Sequence, residues 1–451
     1  MKRRILFLLV LLQTLAGMAQ REVYRSTSPG FTVAIPEQGA DGRAVVLCPG
    51  GGYNHIAKSK EGADWIPFFT SQGIAVIVTK YTLPDGDRER PLGDIRNTFK
   101  MVREHAAEWG INPNGIGIMG FSAGGHLASA YTNSETGDLK PAFTILFYPV
   151  IRMDNKEHQG MAKKFLGNQA TDEQRKAWST NRMVNEDTPK TIIITADDDP
   201  TIDPINSTMY YEALKRNHVE ASLHIYPKGG HGFGFAKSFP YHERMKADLK
   251  DWLKTIVPPA ADAKRVACIG NSITYGARLK FRHEESYPVQ LQQLLGNGYW
   301  VKNFGVSGAT MTASTNDYMG KERYQHALQF NPDIIIIKLG TNDVQPRYWK
   351  NAQAYTEAYQ RMIDELKALP SHPRIILCLP ATSYRNEKIV DEDITQKVIP
   401  LIEQVAKKNK LPVIDLHTPT AGHAELFPDQ LHPNKEGAAI IAHTIVDYLK
   451  K

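Results

Sequence analysis

Two serines in this chain stand where a hydroxyl can be made into a nucleophile. Ser122 is the centre of Gly120-Phe121-Ser122-Ala123-Gly124. The apolar GIGIM before it reads as a strand and GHLASAY after it as a helix, so the serine falls on a tight strand-to-helix turn. The flanking glycines permit the sharp turn, and the helix N-terminus favours negative charge beside the hydroxyl. A serine attacks only when a base removes its proton. His231, in the Gly-rich loop GGHGFG after the strand-like SLHIYP, supplies that base. The orienting acid belongs between them, in TIIITADDDPTID, where Asp197, Asp198, Asp199 and Asp203 are on offer. Asp199, directly before Pro200, is preferred, with Asp198 as the alternative. The tetrahedral intermediate needs N–H donors. Gly51 and Gly52, in PGGG after the strand AVVLC, supply two of them and Ala123 a third. His218, His224 and His242 read as structural.

Ser272 ends the run Ile269-Gly270-Asn271-Ser272 after a second apolar strand. Gly308 follows in NFGVSGAT, Asn342 in LGTND, and Asp429 and His432 in DQLHP. The chemistry is again coherent. Ser272 attacks an acyl carbon, His432 takes its proton, and Asp429, three residues earlier, fixes the imidazole tautomer. The oxyanion would receive the N–H of Ser272, the N–H of Gly308 and the side-chain amide of Asn342. Each group lies past the C-terminal end of a strand or before the closing helix, where open α/β sheets gather their sites.

The elements that must hold these groups alternate strand and helix in two halves. In the first, AVVLC, IAVIVTKY, GIGIM, FTILFYPV, TIIITA and SLHIYP are strands. LGDIRNTFKMVREHAAEW, STMYYEALKRN and ERMKADLKDWLKTI are helices. In the second, RVACIG, YWVKNFGV, DIIIIKLG, RIILCLP and PVIDL are strands, and AAIIAHTIVDYLKK closes the chain. Continuous apolar strands between helices predict parallel sheets covered on both faces. VPPAADA, residues 257–263, has no apolar periodicity and separates the halves. The reading is residues 20–257 as one domain, 258–263 as linker and 264–451 as the other.

The first half resembles the α/β-hydrolase esterases of the acetylxylan esterase-like and hormone-sensitive-lipase-like kind, over about residues 40–255. PGGGY stands where that family usually has HGGG, and ADDDPTID resembles its acid motif, which implies Asp199 as the orienter of His231. The second half resembles the SGNH (GDSL-like) hydrolases over about residues 264–451. Ser272, Gly308, Asn342 and His432 fall on the four lettered positions, and Asn271 stands where GDS has Asp. The resemblances imply an α/β-hydrolase fold followed by a flavodoxin-like three-layer α/β/α sandwich. They imply a serine esterase that removes O-acetyl groups from plant polysaccharides such as acetylated xylan, with no cofactor and no metal. Alternatives keep the mechanism and change the substrate. The first half would then be a feruloyl esterase or peptidase, and the second a sialate O-acetylesterase or a thioesterase/lysophospholipase. A further alternative makes one half chiefly a binding module.

Composition narrows the classes. With 42% hydrophobic and 23% charged residues the chain is neither disordered nor fibrous. Its formal +6 includes Lys2, Arg3 and Arg4, so the basic balance does not indicate nucleic acid. Those three residues precede an apolar run from Ile5 to Leu12, with small residues at Gly17 and Ala19. The pattern predicts a signal peptide over residues 1–19 and a secreted or periplasmic protein without stable membrane insertion. Three cysteines, Cys48, Cys268 and Cys378, are too few for a disulfide framework and read as small buried hydrophobes.

Overall fold

The computed structural model describes residues 20–27, 30–312, 315–385 and 387–451. The expected signal segment, residues 1–19, lies outside them. The chain divides into two compact units, the first running to Pro258 apart from residues 136–138 and the second beginning at Pro259.

The first unit is built on an eight-stranded sheet. Its strands are β1 (Gln20–Thr27), β2 (Gly30–Pro36), β3 (Ala44–Cys48), β4 (Ala75–Lys80), β5 (Ile116–Phe121), β6 (Thr144–Phe147), β7 (Thr191–Ala196) and β8 (Ala221–Tyr226). They lie in the order β1-β2-β4-β3-β5-β6-β7-β8. From β4 to β8 the neighbours are parallel, whereas β1 pairs with β2 and β2 with β4 antiparallel. This antiparallel edge is absent from the sequence reading. Its ladder carries QREVYRST on one side, a stretch with too little apolar alternation to announce a strand.

Strand side chains alternate between the two faces of a sheet, so a strand buried on both sides is apolar throughout. Val46, Ile118 and Leu146 face one core, with Leu92, Ile95 and Phe99 of the helix Glu89–Glu104. Val45, Leu47, Met119 and Phe147 face the other, with Met245, Leu249 and Trp252 of the helix His242–Lys254. Each fully buried side chain of this size contributes about 1.5–3 kcal/mol relative to exposure.

The second unit carries five parallel strands: β9 (Lys264–Gly270), β10 (Tyr299–Gly305), β11 (Ile334–Lys338), β12 (Arg374–Cys378) and β13 (Val413–Ile414). Their order, β10-β9-β11-β12-β13, is the flavodoxin-like one. The same alternation holds. Ile335, Ile337 and Ile375 pack with Tyr355, Met362 and Ile402, while Ile334, Ile336 and Ile376 pack with Leu291, Ile441 and Ile445. The three cysteines are free and buried, and burial pushes their thiols up, Cys48 and Cys378 to about 12. Among the described residues no helix is long and apolar enough to cross a membrane.

In each sheet the first strand of its parallel series is flanked by two later ones: β3 lies between β4 and β5, and β9 between β10 and β11. The connections therefore leave in opposite directions at that point and open a crevice beyond the strand ends. PGGG follows β3 and Ser122 follows β5. Ser272 follows β9 and Asn342 lies past β11.

Candidate active sites

Ser122 begins the helix Ser122–Ser134 directly after β5, with a positive φ of 50°. A non-glycine residue held there is strained, and the neighbours show what holds it. A Cβ on Gly120 would lie 2.2 Å from the Gly124 carbonyl oxygen, and one on Gly124 would lie 2.1 Å from the Cys48 carbonyl oxygen. Gly120 thus lets the strand end close on its own following helix, and Gly124 lets that helix close on the end of β3. The result aims Ser122 Oγ at His231, whose Nε2 is 2.9 Å away across 109 residues of chain. His231 Nδ1 lies 2.7 Å from Asp199 Oδ2. Asp199 Oδ1 accepts the amides of Thr201 and Ile202 at 2.8 and 2.9 Å, which fixes the carboxylate in the turn begun by Pro200.

The other carboxylates of the cluster have separate places. Asp198 accepts the Gly230 amide at 2.8 Å, a bond that holds its carboxyl below the usual range and ties down the loop carrying His231. Asp203 Oδ1 accepts the Ile205 amide at the start of the helix Ile205–Arg216. The loop after β3 places Gly51 at φ 127° and Gly52 at φ 62°. The Gly50 amide is spent on Glu61 Oε2 at 2.9 Å, directly before the two glycines expected to act as donors. The Ala123 amide sits in the first helical turn, where no preceding intrahelical carbonyl can accept it.

In the second unit Ser272 opens the short helix Ser272–Tyr275, capped by Asn271, whose Oδ1 accepts the Ile273 amide at 3.2 Å. His432 Nε2 lies 2.8 Å from Ser272 Oγ, and His432 Nδ1 lies 2.7 Å from Asp429 Oδ2. Asp429 Oδ1 also accepts the amides of Leu431 and His432. Burial works to raise the Asp429 carboxyl, but these bonds and the His432 ring hold it at about 2. Burial lowers His432, against the pull of Asp429 in the other direction. Gly308 has φ 79°, and Asn342 Nδ2 donates to the carbonyl of Ala309, the next residue, at 2.9 Å. One hydrogen of the Asn342 amide is thus committed to holding the Gly308 loop, and the other is available to an oxyanion.

Several residues beside these sites escape the sequence reading. Arg385 donates to the Asp429 carbonyl at 3.1 Å and to its Oδ2 at 3.2 Å. Asp343 is buried and accepts the amides of Met311 and Thr312, bracing the loop past Gly308; burial pushes its carboxyl up. Lys338, at the end of β11, is fully buried, and its Nζ lies 3.4 Å from Asn271 Oδ1. Burial pulls that amine down to about 7, with the nearby Cys378 thiol acting in the opposite direction. In the first unit Tyr148 packs its ring edgewise on His231, with centroids 4.9 Å apart. None of these was singled out in the sequence, although Asp343 directly follows Asn342 in LGTND. Among the described residues no group of three or more His, Cys, Asp or Glu is placed to hold a metal ion.

Two serine–histidine–carboxylate arrays on two α/β sheets define a chain of the serine ester hydrolase class. The comparisons agree with that class. A family model described as the alpha/beta hydrolase fold matches residues 50–235, and one described as the GDSL-like lipase/acylhydrolase family matches residues 268–440. An acetylxylan esterase of Xylanibacter ruminicola is 41% identical over 441 residues, covering 92% of both chains. The chain belongs to the family of that esterase and is a carboxylic ester hydrolase. An endo-1,4-beta-xylanase B of Butyrivibrio fibrisolvens is 28% identical over 207 residues, 43% of this chain and 32% of that protein. Of solved structures, an acetyl ester-xyloside bifunctional hydrolase from Caldicellulosiruptor lactoaceticus matches with a TM-score of 0.48 and 28% identity, over 53% of this chain and 96% of that one.

Proposed function

We propose that the chain is a two-site carbohydrate esterase that removes O-acetyl groups from acetylated xylan or a similar plant polysaccharide. One observation carries the two-site reading: each serine has its own imidazole, at 2.9 and 2.8 Å, and each imidazole its own carboxylate at 2.7 Å. The 41% identity to the acetylxylan esterase of Xylanibacter ruminicola supports the choice of substrate.

In each site the serine oxygen attacks the acetyl carbon as the histidine Nε2 takes its proton. The carboxylate on Nδ1 stabilises the imidazolium and fixes the tautomer that accepts at Nε2. The developing oxyanion is received by the amides of Gly51, Gly52 and Ala123 in one site. In the other it is received by the amides of Ser272 and Gly308 and the side chain of Asn342. The imidazolium protonates the departing sugar oxygen, which leaves as a free hydroxyl, and an acetyl-serine remains. Water, activated by the same histidine, releases acetate and restores the serine.

Ser122→Ala, Ser272→Ala and the double variant, assayed on p-nitrophenyl acetate and on acetylated xylan, test this reading. Each single variant should lose its own site's share, and the double should fall by at least about 10³-fold. A single variant with full activity on both esters would remove its domain from the mechanism. The basic-then-apolar residues 1–19 support export as part of the same proposal. Mature N-terminal sequencing of the protein made in a bacterial host checks it, the expected start being residue 20.

A further inference from the structure

We propose that Glu61 is a positioning residue of the first site: a buried carboxylate that locks the loop carrying the oxyanion donors to the loop carrying His231. The proposal rests on the reading of Ser122 as nucleophile and of Gly51 and Gly52 as donors.

Glu61 is 4% exposed and lies at the far end of the connection that carries the donors, eleven residues past Gly50. Its Oε2 accepts the Gly50 amide at 2.9 Å, directly before Gly51 and Gly52. Its Oε1 accepts the Tyr148 hydroxyl at 2.8 Å. Tyr148 in turn accepts the Gly234 amide at 2.9 Å, three residues past His231, and sets its ring against the imidazole. The neighbouring Lys60 carbonyl accepts the Phe235 amide at 2.7 Å, so the same turn grips the His231 loop a second time. Tyr148 is fully buried with φ 34°, a conformation that persists only where the surroundings impose it. Ser122 lies between the two loops, and catalysis requires both at once: donors facing the oxyanion and imidazole facing the hydroxyl. A displacement of about 1 Å at either costs on the order of 10²-fold in rate.

The hydrogen inventory explains why the residue is an acid. Both carboxylate oxygens act as acceptors, one toward an N–H and one toward an O–H. Glutamine has a single acceptor oxygen. Turned to Gly50, it puts its NH₂ on the Tyr148 oxygen and strands the phenol hydrogen. Turned to Tyr148, it sets NH₂ against the Gly50 N–H. Either way one link of the chain breaks without loss of volume.

The test uses the full chain carrying Ser272→Ala, so that only the first site reports. Ser122 is titrated with a fluorophosphonate, and the labelled residue is located by mass spectrometry. Hydrolysis of p-nitrophenyl acetate is then expressed per labelled site. Glu61→Gln and Tyr148→Phe should each lower kcat per labelled site by about 10- to 100-fold with KM within about twofold. The combined variant should fall no more than about twofold below the worse single one, because both act through one chain of bonds. A merely structural role would reduce the number of titratable sites and leave kcat per site unchanged in both variants, which would overturn the proposal. Losses that multiply in the double variant would overturn it too. Absence of labelling at Ser122 in the parent is a separate result: it removes the nucleophile reading and the proposal with it.

Discussion

Replacing Lys338 by methionine should make the second domain more stable near neutral pH, by an amount that shrinks as pH rises. Lys338 is fully buried at the end of β11, beside Asn271, and its amine titrates at about 7 instead of 10.5. Between those two values the unfolded chain holds a proton that the folded chain has released. Stability due to this group therefore rises with pH across the window, and is least below pH 7, where a charge is buried. At about 1.4 kcal/mol per pH unit, the wild type gains roughly 2–3 kcal/mol between pH 7 and pH 9 that the methionine variant does not. Over the whole window the cost is on the order of 5 kcal/mol, which methionine removes while filling a similar volume. Asn271 Oδ1 keeps the Ile273 amide, so the helix cap at Ser272 survives. In a domain of this size the expected rise in Tm at pH 6 is roughly 5–15 °C. Scanning calorimetry of the full chain at pH 6, 7, 8 and 9 measures it, with the second domain's transition assigned by the esterase activity surviving heat in a Ser122→Ala background. Parallel pH dependence of wild type and variant between pH 7 and 9, or a variant less stable at pH 6, would refute the reasoning.

Other substitutions separate roles at the two sites. Asp199→Asn should lower first-site kcat by about 10⁴-fold, because the amide favours the wrong tautomer of His231. Asp198→Ala, which frees only the Gly230 amide, should cost less than about tenfold, and steady-state kinetics in a Ser272→Ala background compares the two. Gly51→Ala should abolish first-site turnover, since its methyl would sit 2.1 Å from the His55 carbonyl oxygen at a φ of 127°; Ser122 labelling should fall with it. Arg385→Ala removes a cation that lowers His432, so the acidic limb of second-site kcat/KM should move to higher pH by a few tenths of a unit. Asp429 titrates at about 2 and stays ionised throughout such a profile.

Much of the parallel sheet was legible because a strand buried on both faces is apolar along its length, as AVVLC, IGIMGF and the run Ile334–Ile337 are. The edge strand β1 was not, since an antiparallel edge carries no such demand. The serines and histidines were legible because backbone constraints surround them with glycine, proline or a strand end. Among Asp197, Asp198, Asp199 and Asp203, side-chain chemistry alone left the choice open. The structure puts Asp199 on the imidazole because Pro200 starts a turn whose amides of Thr201 and Ile202 anchor that carboxylate. Glu61 and Tyr148 were out of reach: the contact spans 87 residues, and neither residue has a neighbour that betrays a buried acid. Lys338 was hidden because it closes an isoleucine run at the end of β11, where a polar residue ordinarily marks the exit to solvent.

The acid and base of the first array lie 32 residues apart, and those of the second only three. Local opening of the intervening stretch, which holds the helix Ile205–Arg216 and β8, therefore loosens the hold of Asp199 on His231. No comparable stretch exists within Asp429–His432, where a single turn carries both groups and moves them as one body. The vulnerable link of that array is instead the reach from the turn to Ser272, 160 residues back along the chain. Damage should accordingly erode the two halves differently: the first by loss of a correctly oriented imidazole, the second by departure of an intact acid–base pair from its serine.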